Sequence, residues 1–223
     1  MPHAVSSRRP LAIMKIVSIE QASGPDDRVR LRLESGEEVE LAREVALTGA
    51  VGVGDEVQPA RIEELADEDL RWRVRDAALR LLSHRPRTAS ELRMRLLRKG
   101  FAEEPVDACL AELRTKGLVD DAAFAEMFAR DRVRLNPRGR HRVVQELRGR
   151  GVDGDTAATV VEGVMRDEES DELALAREAA RRWRPRPGEE PERARRRLIG
   201  FLARRGFGAD AARQVLEEML PDE

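Results

Sequence analysis

Leu96-Leu97-Arg98-Lys99-Gly100-Phe101 returns as Leu147-Arg148-Gly149-Arg150-Gly151-Val152 and again as Leu202-Ala203-Arg204-Arg205-Gly206-Phe207. Each copy runs apolar, basic, Gly, apolar, with the final Gly positions 51 and 55 residues apart. A recurrence at this period predicts a repeat architecture. Such a chain presents an extended surface rather than one enclosed pocket.

Working outward from the three Gly residues, the flanking pattern also repeats. Eight and four positions before them lie Leu92 and Leu96, Val143 and Leu147, Leu198 and Leu202. Nine, ten and thirteen positions after them lie Cys109, Leu110 and Leu113; Val160, Val161 and Val164; Val215, Leu216 and Met219. The spacing puts each set on one helical face. The Gly ends a helix, where a left-handed conformation costs it nothing, and the next apolar residue packs across that cap. In the first copy, Val74, Ala77, Ala78, Leu81 and Leu82 form a preceding helix that Pro86 stops. Thr88 and Glu91 then have the spacing of a capping box. Each unit is thus three helices with too little core to stand alone, so neighbours stack. The link from Pro185 to Pro191 in the third copy is expected to be mobile.

Residues 14–60 read differently. Val29, Leu31 and Leu33 alternate with Arg28, Arg30 and Arg32, the period of a half-buried strand. Glu34-Ser35-Gly36-Glu37 is a turn, and Val39 and Leu41 resume the alternation, which predicts a hairpin. Val51-Gly52-Val53-Gly54-Asp55 marks a later turn and lacks the Lys-Ser/Thr ending of a phosphate loop. The expected fold is mainly α: three tandem three-helix repeats in a curved modular array, preceded by a small N-terminal β unit. The expected boundaries are a disordered leader at 1–13, a small β domain at 14–62 and an acidic linker at 63–72. Repeats one, two and three then occupy 73–119, 120–166 and 167–223. Met14 is an alternative start to Met1.

Charged residues make up 38% of the 223-residue chain and aromatics 3%, which suits a long helical structure better than a compact enzyme core. The net charge of −2 is unevenly spread. Residues 71–151 hold 20 basic and 11 acidic side chains, whereas both flanks are net acidic. Of the 41 basic residues all but Lys15, Lys99 and Lys116 are Arg, the better partner for carboxylates and phosphates. The candidate partner-binding residues are Arg85, Arg87, Arg93, Arg95, Arg98 and Lys99 in repeat one. In repeat two they are Arg130, Arg132, Arg134, Arg138, Arg140, Arg142, Arg148 and Arg150. They fall largely off the apolar stripe, and Glu146 is placed to pair with Arg142 or Arg150. Aromatics for base stacking are absent from this run, which argues against a single-strand platform.

Catalysis finds little support. His3, His84 and His141 have no partner at metal-ligand spacing. Cys109 stands where the sister repeats have Val160 and Val215, a core position. Asp120 and Asp121 read as the N-cap and first turn of the helix carrying Phe124 and Phe128. One Cys excludes an internal disulfide and fits a reducing compartment. No apolar run approaches the roughly 18–20 residues that span a bilayer. The protein is expected to be cytoplasmic, monomeric, non-enzymatic, and without cofactor, metal or membrane partner.

The chain from about Arg75 to Leu220 resembles RecX, the bacterial regulator of the RecA recombinase. Gly117-Leu118-Val119-Asp120-Asp121, with Phe124-Ala125 and Phe128, is similar to the start of that family's second repeat. Arg132, Gly139, Leu147 and Gly151-Val152 continue the pattern; Ala77 to Leu82, Glu91-Leu92 and Lys99-Gly100-Phe101 resemble its first repeat. The resemblance implies a cofactor-free modular protein that binds RecA and single- and double-stranded DNA in the RecA filament. It further implies restraint of filament growth, ATPase and strand exchange. Two other readings stand beside it: a DNA-binding protein acting without recombinase, and a scaffold for a different protein. The N-terminal β unit is less typical of short family members.

Overall fold

The computed structural model describes residues 13–23, 27–168, 171–181 and 183–221. The chain forms two compact units, one of residues up to 83 with 96–109, the other of 84–95 with 110–223. The expected leader lies outside the described residues except for Ile13, which is exposed.

The first unit opens with strands β1 (Met14–Gln21), β2 (Arg28–Leu33) and β3 (Glu38–Ala42), then helix α1 (Arg43–Thr48), strand β4 (Glu56–Val57) and the long helix α2 (Pro59–His84). The sheet order is β3-β2-β1-β4, with every neighbouring pair antiparallel. The hairpin turns at Gly36, whose φ of +87° suits a residue without Cβ. Val29, Leu31 and Leu33 bury into one core with Ile16, Leu41, Val57, Ile62 and Leu65, while Arg32 faces out. Helix α1 has no periodic signal because it is a single short turn; Val45 and Ala46 tuck it into the same core.

The acidic stretch 63–72 is a correction. It is not a linker but the middle of α2. Its charges sit mostly on the exposed face, whereas Leu65 is fully buried. Asp69 is 5% exposed. It accepts hydrogen bonds from the Ala42 amide at 2.7 Å and from Arg28 at 3.0 Å, clamping α2 to the sheet. Trp72 adds a 2.7 Å bond from its indole N–H to Glu44.

Eight further helices of the described residues, α3 to α10, carry the repeats. Helices α3 (Ala89–Arg98) and α4 (Glu103–Thr115) contribute residues to both units. The second unit continues with α5 (Asp121–Arg134), α6 (Arg140–Arg148), α7 (Gly154–Asp167), α8 (Glu172–Ala180), α9 (Pro191–Arg204) and α10 (Ala209–Met219). The three Gly signals act as read. Gly100, Gly151 and Gly206 have φ of +91°, +81° and +84°. In each copy the amide after the Gly donates to the carbonyl five residues back: Phe101 to Leu96, Val152 to Leu147 and Phe207 to Leu202. This satisfies a carbonyl that the helix end leaves open. Leu92, Leu96, Val143, Leu147, Leu198 and Leu202 are all fully buried. One continuous core runs from Phe124 to Leu216 through α5–α10.

Caps follow the sequence as well. The Asp120 carboxylate accepts from the Ala122 and Ala123 amides, each at 2.9 Å. Thr88 Oγ1 accepts from the Glu91 amide at 3.1 Å. The Glu91 carboxylate turns instead to Arg85 and Arg87, so half of the capping box is given over to an ion pair. The Pro185–Pro191 link is held rather than loose: Glu189 accepts from the Arg186 amide and takes both arms of Arg197, at 3.0 and 2.9 Å.

Candidate partner surface and the seams between repeats

Within the second unit, the start of one repeat's middle helix abuts the end of the next repeat's middle helix, and the contact occurs twice. At the first seam, Thr88 Oγ1 donates to the Arg150 carbonyl at 2.6 Å, and Ser90 fills the space where Gly151 would carry a Cβ. At the second, the Gly139 amide donates to the Arg205 carbonyl at 2.8 Å. A Cβ on Gly139 would overlap the Gly206 carbonyl, and one on Gly206 would overlap Arg142. Counted from each Gly, Thr88 and Gly139 hold the same register position, as do Arg150 and Arg205. A tertiary bond also secures α3: the Ala89 amide donates to Asp121 at 2.8 Å. Asp121 is thus more than a first-turn anion.

The basic candidates differ in their surroundings. Some share an acid. Glu91 serves Arg85 at 3.1 Å and Arg87 at 3.9 Å; Glu146 serves Arg132 at 2.9 Å and Arg142 at 3.0 Å. Two guanidiniums on one carboxylate leave a net positive charge in each cluster. Others meet acids on their own helix, a neighbouring helix or a turn: Arg130 pairs with Glu126 and shares Glu168 with Arg134, and Arg140 meets Glu162, which also takes Arg166. Among the described residues, Arg95, Lys99, Arg138 and Arg148 have no carboxylate within ion-pair distance, and Arg95, Lys99 and Arg148 are exposed. Arg93 and Arg98 are engaged within the chain.

Two candidates change character. Arg87 is 8% exposed and belongs to the first seam rather than to an open surface. Burial, with repulsion from Arg85 and Arg95, holds its guanidinium below the usual arginine range despite Glu91. Arg150 does not pair with the Glu146 carboxylate; it donates to the Glu146 carbonyl at 2.8 Å. The Arg132 and Arg150 guanidiniums lie 4.1 and 4.4 Å from the centre of the Phe128 ring. That aromatic is therefore occupied by cations and not offered to a base.

Glu146 is the best-defined charge in the cluster. Burial pushes its carboxyl up, but hydrogen bonds from Arg132 and Arg142 together press it lower, below its ordinary 4.5. A carboxyl held lower in the folded state contributes stability above its unfolded value, and that contribution fades as pH falls through and below 4.5. Glu146→Gln is therefore expected to be less stable than the wild type at pH 7. The gap should narrow by pH 3, as read from urea unfolding at each pH.

Among the described residues, no group of three His, Cys, Asp or Glu side chains is placed to hold a metal. Cys109 is buried. Among the described residues, no helix is long and apolar enough to cross a membrane.

Family models for the first, second and third three-helix domains of RecX match residues 75–113, 120–161 and 169–216. A regulatory protein RecX from Thermobifida fusca is 39% identical over 159 residues, spanning 71% of this chain and 84% of the relative. The chain belongs to the RecX family. A second RecX, from Halorhodospira halophila, is 45% identical over 141 residues, 63% of this chain and 84% of its own length. A crystal structure of a regulatory protein RecX superposes with a TM-score of 0.67 at 25% identity, covering 94% of this chain and all of the other. That coverage extends into the β unit, so a RecX with such an N-terminal element has been seen before. RecX relatives are named as regulatory proteins.

The sequence reading passes over Arg184, Arg204 and Arg205 in repeat three. Residues 152–223 are net acidic, with 13 basic against 17 acidic side chains. A regional sum hides a local cluster that only folding assembles.

Proposed function

We propose that the chain binds the RecA recombinase and its DNA filament, and restrains filament growth, ATPase and strand exchange. The observation that carries this reading is the surplus of guanidinium charge on repeats one and two, where Glu91 and Glu146 each serve two Arg. Membership of the RecX family supports it. A row of linked modules can touch several protomers of a polymer at once, and several modest contacts then bind with avidity. Arg forks suit both the acidic faces of a protein and DNA phosphates. Occupying neighbouring protomers opposes addition of the next one and needs no chemical step. The contacts proposed are Arg85, Arg95, Lys99, Arg130, Arg132, Arg134, Arg138, Arg140, Arg142, Arg148 and Arg150.

Comparing binding to naked and recombinase-coated DNA separates this reading from a plain DNA-binding function. Preference for coated DNA supports it. Equal binding with a steep loss as salt rises would favour phosphate contact alone.

A further inference from the structure

The two seams differ in one respect. At the first, Arg87 and Arg85 share the Glu91 carboxylate. The residue at the Glu91 register in repeat two is Arg142. Around Arg138, at the Arg87 register, and Arg205, at the Arg150 register, no carboxylate lies within ion-pair distance among the described residues. Arg138 Nε is buried and has no hydrogen-bond acceptor. Burial and the Arg138 charge hold the Arg205 guanidinium below its usual range, with no acid opposing them.

Arg205 also lines a cavity of about 690 Å³ walled by the end of α5, α8, α9 and the loop before α9. Arg184, Arg186, Arg197 and Arg204 line it too, against a single acid, Glu178. Glu178 pairs outward with Arg181 at 3.4 Å, and Arg197 is already held by Glu189. Arg184, Arg204 and Arg205 have no carboxylate partner among the described residues. The cavity is far larger than one ion and has room for a segment of a chain.

Two features choose between a peptide and a nucleic acid. The aromatic rings at the cavity are already covered: Arg197 lies 4.5 Å from the centre of Trp183 and Arg205 lies 4.5 Å from that of Phe201. That leaves no open ring for a base. Leu135 on the rim is 79% exposed and offers contact to an aliphatic side chain. At the first seam the Glu91 carboxylate stands 3.9 Å from Arg87, and the second seam has no such acid among the described residues.

We propose that this cavity binds an acidic peptide segment of a partner protein, its carboxylates meeting Arg204 and Arg205 and an apolar side chain meeting Leu135. Charge-assisted Arg–carboxylate bonds are the recognition device.

The test uses the full-length protein and a fluorescein-labelled glutamate-rich peptide carrying leucines, read by anisotropy. An oligothymidylate of equal charge serves as competitor. Saturable peptide binding that R204Q and R205Q each weaken about tenfold, and that R213Q, at an exposed arginine of α10 outside the cavity, leaves unchanged, supports the proposal. Arg204 is an exposed residue of α9, so R204Q reports on binding even if R205Q disturbs the seam. Absence of peptide binding, an equal loss in R213Q, or displacement of the peptide by the oligonucleotide at equal concentration would overturn it.

Discussion

Gly139→Ala is expected to destabilise the protein by about 3 kcal/mol or more, whereas Gly100→Ala costs roughly 1–2 kcal/mol. The two glycines do different work. Gly100 has a φ of +91° with open space where a Cβ would point, so alanine there meets only the strain of a left-handed backbone. Gly139 has an ordinary φ of −68°, so alanine meets no such strain. Its Cβ would instead overlap the Gly206 carbonyl and approach the Phe207 nitrogen to 2.5 Å. Those are backbone atoms of the next repeat and cannot rotate aside. The α6 start must move off the α9 end, breaking the bond from the Gly139 amide to Arg205. Gly151→Ala combines both effects, since its φ is +81° and Ser90 occupies the Cβ site. Urea unfolding followed by circular dichroism ranks the three. Equal losses at Gly100 and Gly139 would show that the close seam is not what the second unit depends on.

The second large effect concerns binding, not folding. Changing Arg138, Arg140 and Arg142 together to Ala is expected to weaken filament binding by about tenfold or more while leaving helix content unchanged. Arg140 pairs with Glu162 in an exposed setting, where an ion pair contributes at most about 1 kcal/mol, and Arg142 is the more exposed partner of the half-shielded Glu146. Ala retains the Arg142 Cβ that faces Gly206, so the seam keeps its shape. Glu146 keeps Arg132 at 2.9 Å. Removing Arg138 also takes away a charge that disfavours the Arg205 guanidinium. Leu147→Ala should do the reverse, costing about 2–5 kcal/mol of stability through a core cavity. If the triple variant keeps full inhibitory activity, the basic edge of repeat two is not the contact.

The helices and their core were legible because they obey local rules. A residue eight or four positions before a capping Gly must face inward in every copy, and Leu92, Val143 and Leu198 all do. The seams were not legible, because nothing local says which surface a helix end will meet. Register alone aligns Thr88 with Gly139; only the fold shows that one donates a hydroxyl and the other a backbone amide. The acidic stretch 63–72 misled because charge density outweighed the Ile62–Leu65 spacing that marks a helical face. For Glu146, proximity in sequence found Arg142 but not Arg132, which comes from the preceding helix. Arg87 looked like its exposed neighbours, since burial is set by the fold and not by spacing along the chain.

The most direct test is the ATPase rate of preformed recombinase filaments on single-stranded DNA, with this protein added up to a stoichiometric amount. A progressive fall in rate, lost in the Arg138, Arg140 and Arg142 variant, is the predicted result. An unchanged rate at stoichiometric protein, with the chain fully folded, would contradict the account.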